Sequence, residues 1–257
     1  WIVDAARQIH QFAPLHTVVD LFSGSARVAH AFKARGYFVY ANDHNTYAYV
    51  LATALVEANR DRYPPETVQP VLDALMQLPP THGWFTQRYC EEARYFMPEN
   101  GARIEAIRNA IERYTDPHLR AILLTSLMLA ADKVDSTTGL QMAYLKEWAP
   151  RAYNPLTLRY PPLLPGEGKA FQADALELAG QLEADLFYLD PPYNQHSYLA
   201  NYHVWETLVL WDNPETYGVA RKRVDVKCRK SVFNSRAQAR DAMAHLVLSL
   251  IHISEPT

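Results

Sequence analysis

A chain of 257 residues, 49% hydrophobic and 21% charged, has the composition of a folded globular protein, which excludes intrinsic disorder and leaves room for one large α/β domain or a catalytic domain with a smaller appendage. No apolar run reaches the roughly 18 residues needed to span a bilayer, and no secretory pattern opens the chain. Two distant cysteines, Cys90 and Cys228, exclude a disulfide framework or cysteine zinc site and point to a reducing cytoplasm, while a net charge of −3 does not by itself mark a nucleic-acid binder.

Trp1, Ile2, Ala5, Ile9 and Phe12 repeat at helical spacing. Residues 17–22 (TVVDLF) are β-branched and apolar, so a strand is expected there, ending at Ser23-Gly24-Ser25. A helix through Val28, Ala29 and Phe32 follows, with Gly36 as its stop. Residues 37–41 (YFVYA) form a second strand ending at Asn42-Asp43, and an alanine- and leucine-rich helix runs over about 46–59. Strand, glycine turn, helix, strand and acidic residue open a doubly wound α/β sheet.

The pattern changes over residues 60–165. Ile104, Ile107, Ile111 and Tyr114 mark an amphipathic helix, residues 119–131 a more buried one, and prolines 155, 161, 162 and 165 a return. This reads as a helical insertion. The α/β pattern resumes with a strand edge at 170–172, a helix over 175–182 and a buried strand at 186–189, and residues 242–248 form a helix expected to hand over to another strand. The expected division is 1–59 and 166–247 for the two halves of one α/β domain and 60–165 for the insertion.

Two motifs carry chemistry. In Asp20-Leu21-Phe22-Ser23-Gly24-Ser25, glycine lets the backbone pass close to a ligand and the next helix offers unpaired N–H groups. The segment lacks the spacing of a dinucleotide fingerprint and the lysine of a phosphate loop. Asp43, at the end of the next strand, is placed to accept hydrogen bonds from ribose hydroxyls, or simply to cap the helix behind it. In Asp190-Pro191-Pro192-Tyr193-Asn194, two prolines stiffen the backbone beyond a hydrophobic strand, where α/β ligands bind. An aspartate beside an aromatic ring suits a flat heterocycle bearing an amine; the bland reading is a proline-stiffened turn. Arg221, Lys222, Arg223, Lys227, Arg229 and Lys230 form a basic run that, read alone, is a solvated loop. His196 and His203 have no metal-ligand spacing, so no metal site is expected.

DLFSGS together with DPPYN resembles the Dam-like, D12-class adenine-specific DNA N6-methyltransferases. Tyr95-Phe96, residues 99–104 (ENGARI), residues 131–134 (ADKV) and residues 201–207 (NYHVWET) resemble one bacterial branch of that family, and the likeness covers most of residues 15–247. It implies a Rossmann-like S-adenosylmethionine-dependent methyltransferase sheet, with Asp20, Phe22, Ser23, Gly24, Ser25, Asp43 and Asp174 around the cofactor and Asp190, Pro191, Pro192 and Tyr193 at the reacting base. It further implies target recognition by the insertion, and contact with double-stranded DNA by Asn194 and the basic run. A cognate restriction endonuclease is the partner such an enzyme would have.

The expected reaction is methyl transfer to the N6 amine of adenine, with the base flipped out of the helix. Cytosine N4 methylation uses similar amine chemistry and is the alternative, although serine is usual in place of the aspartate; an inactive, truncated DNA-binding fragment is the other. Cytosine C5 chemistry needs a cysteine after proline, a setting neither Cys90 nor Cys228 has. The start at Trp1, without methionine, and residues 248–257 (LSLIHISEPT), which resemble the translation of a transposon-end sequencing adapter, suggest a fragment with a non-native tail.

Overall fold

The computed structural model describes residues 2–11, 14–193 and 196–253, the last two without side chains. In chain order its regular elements are α1 (Ile2–His10), β1 (Thr17–Asp20), α2 (Arg27–Lys33), β2 (Phe38–Asn42), α3 (Thr46–Ala52), α4 (Pro65–Met76), α5 (Trp84–Thr86), α6 (Pro98–Ile111) and α7 (Pro117–Asp132). There follow β3 (Gly168–Phe171), α8 (Ala175–Ala179), β4 (Leu186–Tyr188), α9 (Tyr198–Asn201), α10 (His203–Leu210), β5 (Thr216–Tyr217), β6 (Lys222–Arg223) and α11 (Ala239–Ile253). None of the helices among the described residues is long and apolar enough to cross a membrane.

These elements divide into two units. The first gathers the chain up to Arg62, residues 162–193 and residues from Ser231 onward; the second is Tyr63–Pro161 with His196–Lys230. The first is an α/β unit whose four parallel strands stand in the order β3-β2-β1-β4. Val18, Val19, Val39 and Ala41 have no exposed surface, as expected for β-branched and small residues covered on both faces. Leu21, Leu178, Leu182, Phe233 and Leu246 form a core cluster with α8 and α11. β2 and β4 flank β1 on opposite sides, so the strand order reverses at β1. Such a reversal leaves a crevice beyond the carboxyl ends of the strands, where α/β proteins bind ligands.

The helix expected over 46–59 passes at Thr53 into a π-helical turn ending at Glu57. The buried Lys33 terminates it, its Nζ donating to the carbonyls of Val56 (2.6 Å) and Ala58 (2.9 Å). Burial lowers the Lys33 pKa to about 8. The first strand stops at Asp20, short of Phe22, because Ser23 N–H turns to donate to Asn42 O at 2.8 Å. Residues 248–253 continue α11 without a break; Trp1, Phe12 and residues 254–257 lie outside the described residues.

The second unit contains the α6–α7 pair, and the ENGARI segment at the start of α6 organises its surroundings. Asn100 Nδ2 donates to Ala152 O and Asn154 O while its Oδ1 accepts from Leu156 N, which pins the proline-rich return. Gly101 is required by packing: a Cβ there would stand 2.2 Å from Cys90 Sγ. Arg103 donates to Met76 O at the end of α4. The buried Glu105 carboxylate accepts the N–H groups of Gly83, Phe85 and Thr86 and the Thr86 hydroxyl, neutralising the amino end of α5. Arg108, with no exposed surface, donates to Leu208 O and Val209 O at the end of α10, tying residues 196–230 to the helical pair.

Candidate active site

The two chemistry-bearing motifs sit at the carboxyl ends of adjacent strands. Asp20 ends β1 and is registered opposite Tyr188 of β4, and Asp190 follows two residues later. The loop after β1 is held from three directions. Asn42, at the end of β2, donates through Nδ2 to Leu21 O and Ala173 O and accepts Ala173 N on Oδ1, so one buried amide joins the ends of β1, β2 and β3. Asp43 accepts Gly24 N–H on Oδ2 at 2.9 Å and Asn45 N–H on Oδ1 at 2.8 Å. Asp20 Oδ2 accepts Ala29 N–H at 3.1 Å.

This geometry gives Asp43 a definite structural task. A carboxylate has about four lone-pair sites, and Asp43 also receives Asn45 Nδ2, which leaves room for one more donor. Burial pushes its carboxyl above the usual carboxylate range. Asp20 is only 1% exposed, and burial, with Asp43 and Asp190 adding like charge, pushes its pKa up to about 7.

Asp20 Oδ1 and Ser23 Oγ are buried and have no hydrogen-bond partner among the described residues. Buried polar atoms are normally satisfied, so this pair marks a place where a donor is missing. Beside it Gly24 adopts φ +50°, and a Cβ built there would meet nothing within 4 Å, so open space adjoins the loop. Phe22 packs edge-on against Phe233 with centroids 5.2 Å apart, and Ser25 is exposed. Ala26 takes the left-handed conformation, φ +59°, at the start of α2, which costs a residue with a Cβ roughly 1–2 kcal/mol. Asp174 is exposed and accepts Leu176 N–H at 2.8 Å as the cap of α8.

Across the crevice, Pro191 and Pro192 are half-buried, Asp190 is exposed, and Tyr193 stands 80% exposed, an unusual position for a large ring unless a partner covers it. Sequence reasoning passed over Tyr188, whose hydroxyl donates to Asp190 Oδ2 at 3.3 Å. Burial and the Asp190 charge raise the Tyr188 pKa, keeping the phenol protonated as a donor. Asn194 lies outside the described residues. Among the described residues no three His, Cys, Asp or Glu side chains converge as metal ligands.

A family profile, D12 class N6 adenine-specific DNA methyltransferase, matches residues 3–255. The chain belongs to this family. It is 37% identical over 213 residues to type II methyltransferase M.NlaIII of Neisseria lactamica, covering 76% of this chain and 60% of that protein. It is 32% identical over 248 residues to modification methylase StsI of Streptococcus sanguinis, covering 90% of this chain and 38% of that protein. Type II methyltransferase M.FokI of Planomicrobium okeanokoites is 32% identical over 251 residues, with the same 90% and 38% coverage. The chain thus spans less than two thirds of these relatives' own lengths. No solved structure matches it. The four-stranded parallel sheet agrees with the methyltransferase sheet expected for a D12-class chain.

The basic run of this D12-class chain falls in the second unit and divides by role. Arg223 makes a two-pronged pair with Asp212, both distances 2.7 Å, and also meets Asp225. Arg229 pairs with the buried Glu206 at 2.7 Å and with Asp225, and Arg221 with Glu92 at 3.2 Å. These arginines staple the run to α10 and its surroundings and spend much of their charge there. Lys227 lies over the Tyr217 ring, 4.2 Å from its centroid. Lys227 and Lys230 are exposed and Lys222 half-buried. The polar residues of NYHVWET are likewise engaged inside the unit: Thr207 Oγ1 donates to His203 O, and Glu206 meets Arg229.

Proposed function

We propose that this chain carries the methyl-transfer machinery of a DNA adenine-N6 methyltransferase that uses S-adenosylmethionine and acts on double-stranded DNA. The observation that carries the reading is the placement of Asp20 and Asp190 beyond neighbouring strands at the point where the strand order reverses. The buried Asp20 with its unpartnered oxygen, the half-buried Asp43 and the open lane at Gly24 suit a cationic cofactor with hydroxyl and ammonium donors. Asp20, Ser23 and the Gly24 backbone would hold its charged end, Phe22 would give an apolar wall, and Asp43 has acceptor capacity for a ribose hydroxyl. Asp174 and Ser25, both exposed, would lie at the edge. When bound, S-adenosylmethionine supplies an electrophilic methyl group.

The chain's own residues prepare the amine. An exocyclic amine is a weak nucleophile because its lone pair is delocalised into the ring. Asp190 and the Pro191 carbonyl accept its two N–H hydrogens, which favours a tetrahedral nitrogen with its lone pair directed outward. Tyr188 steadies the carboxylate through Oδ2, Tyr193 stacks on the flipped base, and the two prolines keep these groups from yielding. Positioning and electrostatics then supply the rate. The relatives' names as type II and modification methylases support a partner restriction endonuclease, and the free thiols of Cys90 and Cys228 support a reducing, cytoplasmic setting.

The test is nucleoside mass spectrometry of unmethylated DNA incubated with S-adenosylmethionine and either this chain or the reading frame containing it. N6-methyladenine is expected; N4-methylcytosine would keep the chemistry and move the substrate, and no methylated base from folded protein would sink the reading.

The division within the basic run gives a second expectation. Alanine at Lys222, Lys227 or Lys230 should weaken DNA binding equally on all sequences and lower the slope of log affinity against log salt by about 0.9 for each phosphate no longer neutralised. Arg223→Ala should instead lower the melting temperature, because it strands Asp212 and leaves Asp225 with Arg229 alone. Salt titration by fluorescence anisotropy, alongside thermal melting, separates the two; a salt slope unchanged in all three lysine variants would remove them from the interface.

A further inference from the structure

The first unit offers two separate loops to a ligand. The loop after β1 brings Asp20, Ser23 and the Gly24 backbone, and the loop after β3 brings Asp174. Helices α2 and α8 begin only at Arg27 and Ala175, so neither loop fixes its own distance from the other. A side chain on a third strand does so. Asn42 ends β2, which lies between β1 and β3, and it is 1% exposed. Its amide closes a two-bond pair with a single residue: Oδ1 accepts Ala173 N–H at 3.1 Å, and Nδ2 donates to Ala173 O at 3.2 Å. The other Nδ2 hydrogen goes to Leu21 O at 3.1 Å. A carboxamide has two N–H donors, and here each serves a different loop. The Asn42 carbonyl adds a further bond to the first loop, accepting Ser23 N–H at 2.8 Å.

Neighbouring ties run the same way. Gln172 Nε2 donates to Thr46 Oγ1 at 3.0 Å, Asp43 N–H donates to Phe171 O at 3.3 Å, and Asp43 Oδ2 accepts Gly24 N–H. The end of β2 is thus a rail to which both loops are fastened, and Asn42 is the point where one side chain fastens both. Filling the core would not require an amide there. Val39 and Ala41 on the same strand are apolar and have no exposed surface, and a buried amide is unfavourable unless its polar atoms are paired. The partners Leu21 and Ala173 stand directly before Phe22-Ser23 and Asp174, the residues assigned to the cofactor.

We infer that Asn42 is a positioning residue for the cofactor: by holding the loops after β1 and β3 at one separation, it lets a single molecule engage both. This rests on the reading of the chain as an S-adenosylmethionine-dependent enzyme. When two parts of one ligand bind at two places, the second place contributes only if the spacing is right. A ligand that lacks one of the two parts is indifferent to that spacing.

Asn42→Asp tests this, because it keeps an acceptor for Ala173 N–H and puts a carboxylate oxygen where two donors met Leu21 O and Ala173 O. Calorimetric titration compares it with the wild-type chain on S-adenosylmethionine and on methylthioadenosine, which lacks the amino-acid end. The variant should lose about tenfold or more in affinity for S-adenosylmethionine and no more than about threefold for methylthioadenosine. In turnover on DNA, KM for S-adenosylmethionine should rise as the affinity falls, while kcat stays within about threefold. Equal losses on the two ligands, no loss on either, or a loss confined to kcat would overturn the inference. Asn42→Ser removes the amide without adding charge and gives the same comparison should Asn42→Asp not fold; failure of both to fold would assign Asn42 to the scaffold and overturn the inference as well. A folded wild-type chain that binds neither ligand would instead sink the cofactor reading itself.

Discussion

Asp190→Ala is expected to lower turnover by about 10²–10³-fold, the usual consequence of removing one preorganised group from a developing charge. In the proposed mechanism positive charge builds on the attacking amine nitrogen, and the Asp190 carboxylate is the acceptor that would stabilise it. Asp190 is exposed and reached by the Tyr188 hydroxyl at 3.3 Å, so truncation leaves that hydroxyl to water and should change folding stability by no more than about 0.5 kcal/mol. Affinity for S-adenosylmethionine should remain near wild type, because the groups assigned to the cofactor stand at the ends of β1, β2 and β3 and not beyond β4. Asp190→Asn keeps an acceptor but not the charge, and should fall between the two. Single-turnover kinetics with thermal melting and cofactor titration check this, and near-wild-type turnover in a folded Asp190→Ala protein would remove the proposed mechanism.

The second expectation concerns stability against pH at Asp20. Its pKa is raised to about 7 by burial and by the neighbouring carboxylates Asp43 and Asp190. A raised acid means that the folded chain holds its proton where the unfolded chain has released it. Between the ordinary carboxylate pKa near 4 and about 7, the folded state therefore binds more protons, and stability falls as pH rises. Below that window Asp20 contributes no penalty; above it the penalty is constant, at roughly 4 kcal/mol as an upper bound.

Asp20→Asn should abolish this slope. Above pH 7 the variant should be more stable than wild type by about 2 kcal/mol, less than the full penalty because a buried amide N–H₂ is left short of an acceptor. It should also bind S-adenosylmethionine more weakly. In wild type that affinity should rise as pH passes through 7, since the ionised carboxylate attracts a cation, and in the variant it should be flat. Urea denaturation and cofactor titration at pH 5 and pH 8 give both quantities, and the difference between the two proteins isolates this group from others titrating nearby. Parallel pH profiles would show that Asp20 does not titrate in this range.

Much of the first unit was legible from residue types alone. Residues 17–22 and 37–41 read as strands because β-branched and aromatic residues run without interruption, and a parallel sheet covered on both faces selects such runs. Ser23-Gly24-Ser25 read as a close-approach turn, and Gly24 does take a positive φ. The helices around residues 104–114 and 119–131 followed from apolar periodicity, and α6 and α7 occupy those positions with earlier starts at Pro98 and Pro117. Proline at the first turn of a helix costs little, so those starts were present in the sequence as well.

Other features depended on side chains that meet only after folding. Nothing local to Asn42 distinguishes a buried hub joining three strand ends from a turn residue, because its partners Leu21 and Ala173 are set by strand order. The basic run reads as uniform in one dimension. Arg223 and Arg229 become internal staples because Asp212 and Glu206 come within 2.7 Å of them, while Lys227 and Lys230 remain at the surface. The same holds for residues 196–230, whose place in the helical unit rests on Arg108 reaching the end of α10 a hundred residues further on. Composition and periodicity report what a residue prefers within a few positions of itself. Hydrogen bonds between groups a hundred residues apart are decided by topology, and here topology separates the residues that hold the scaffold from those left to meet a ligand.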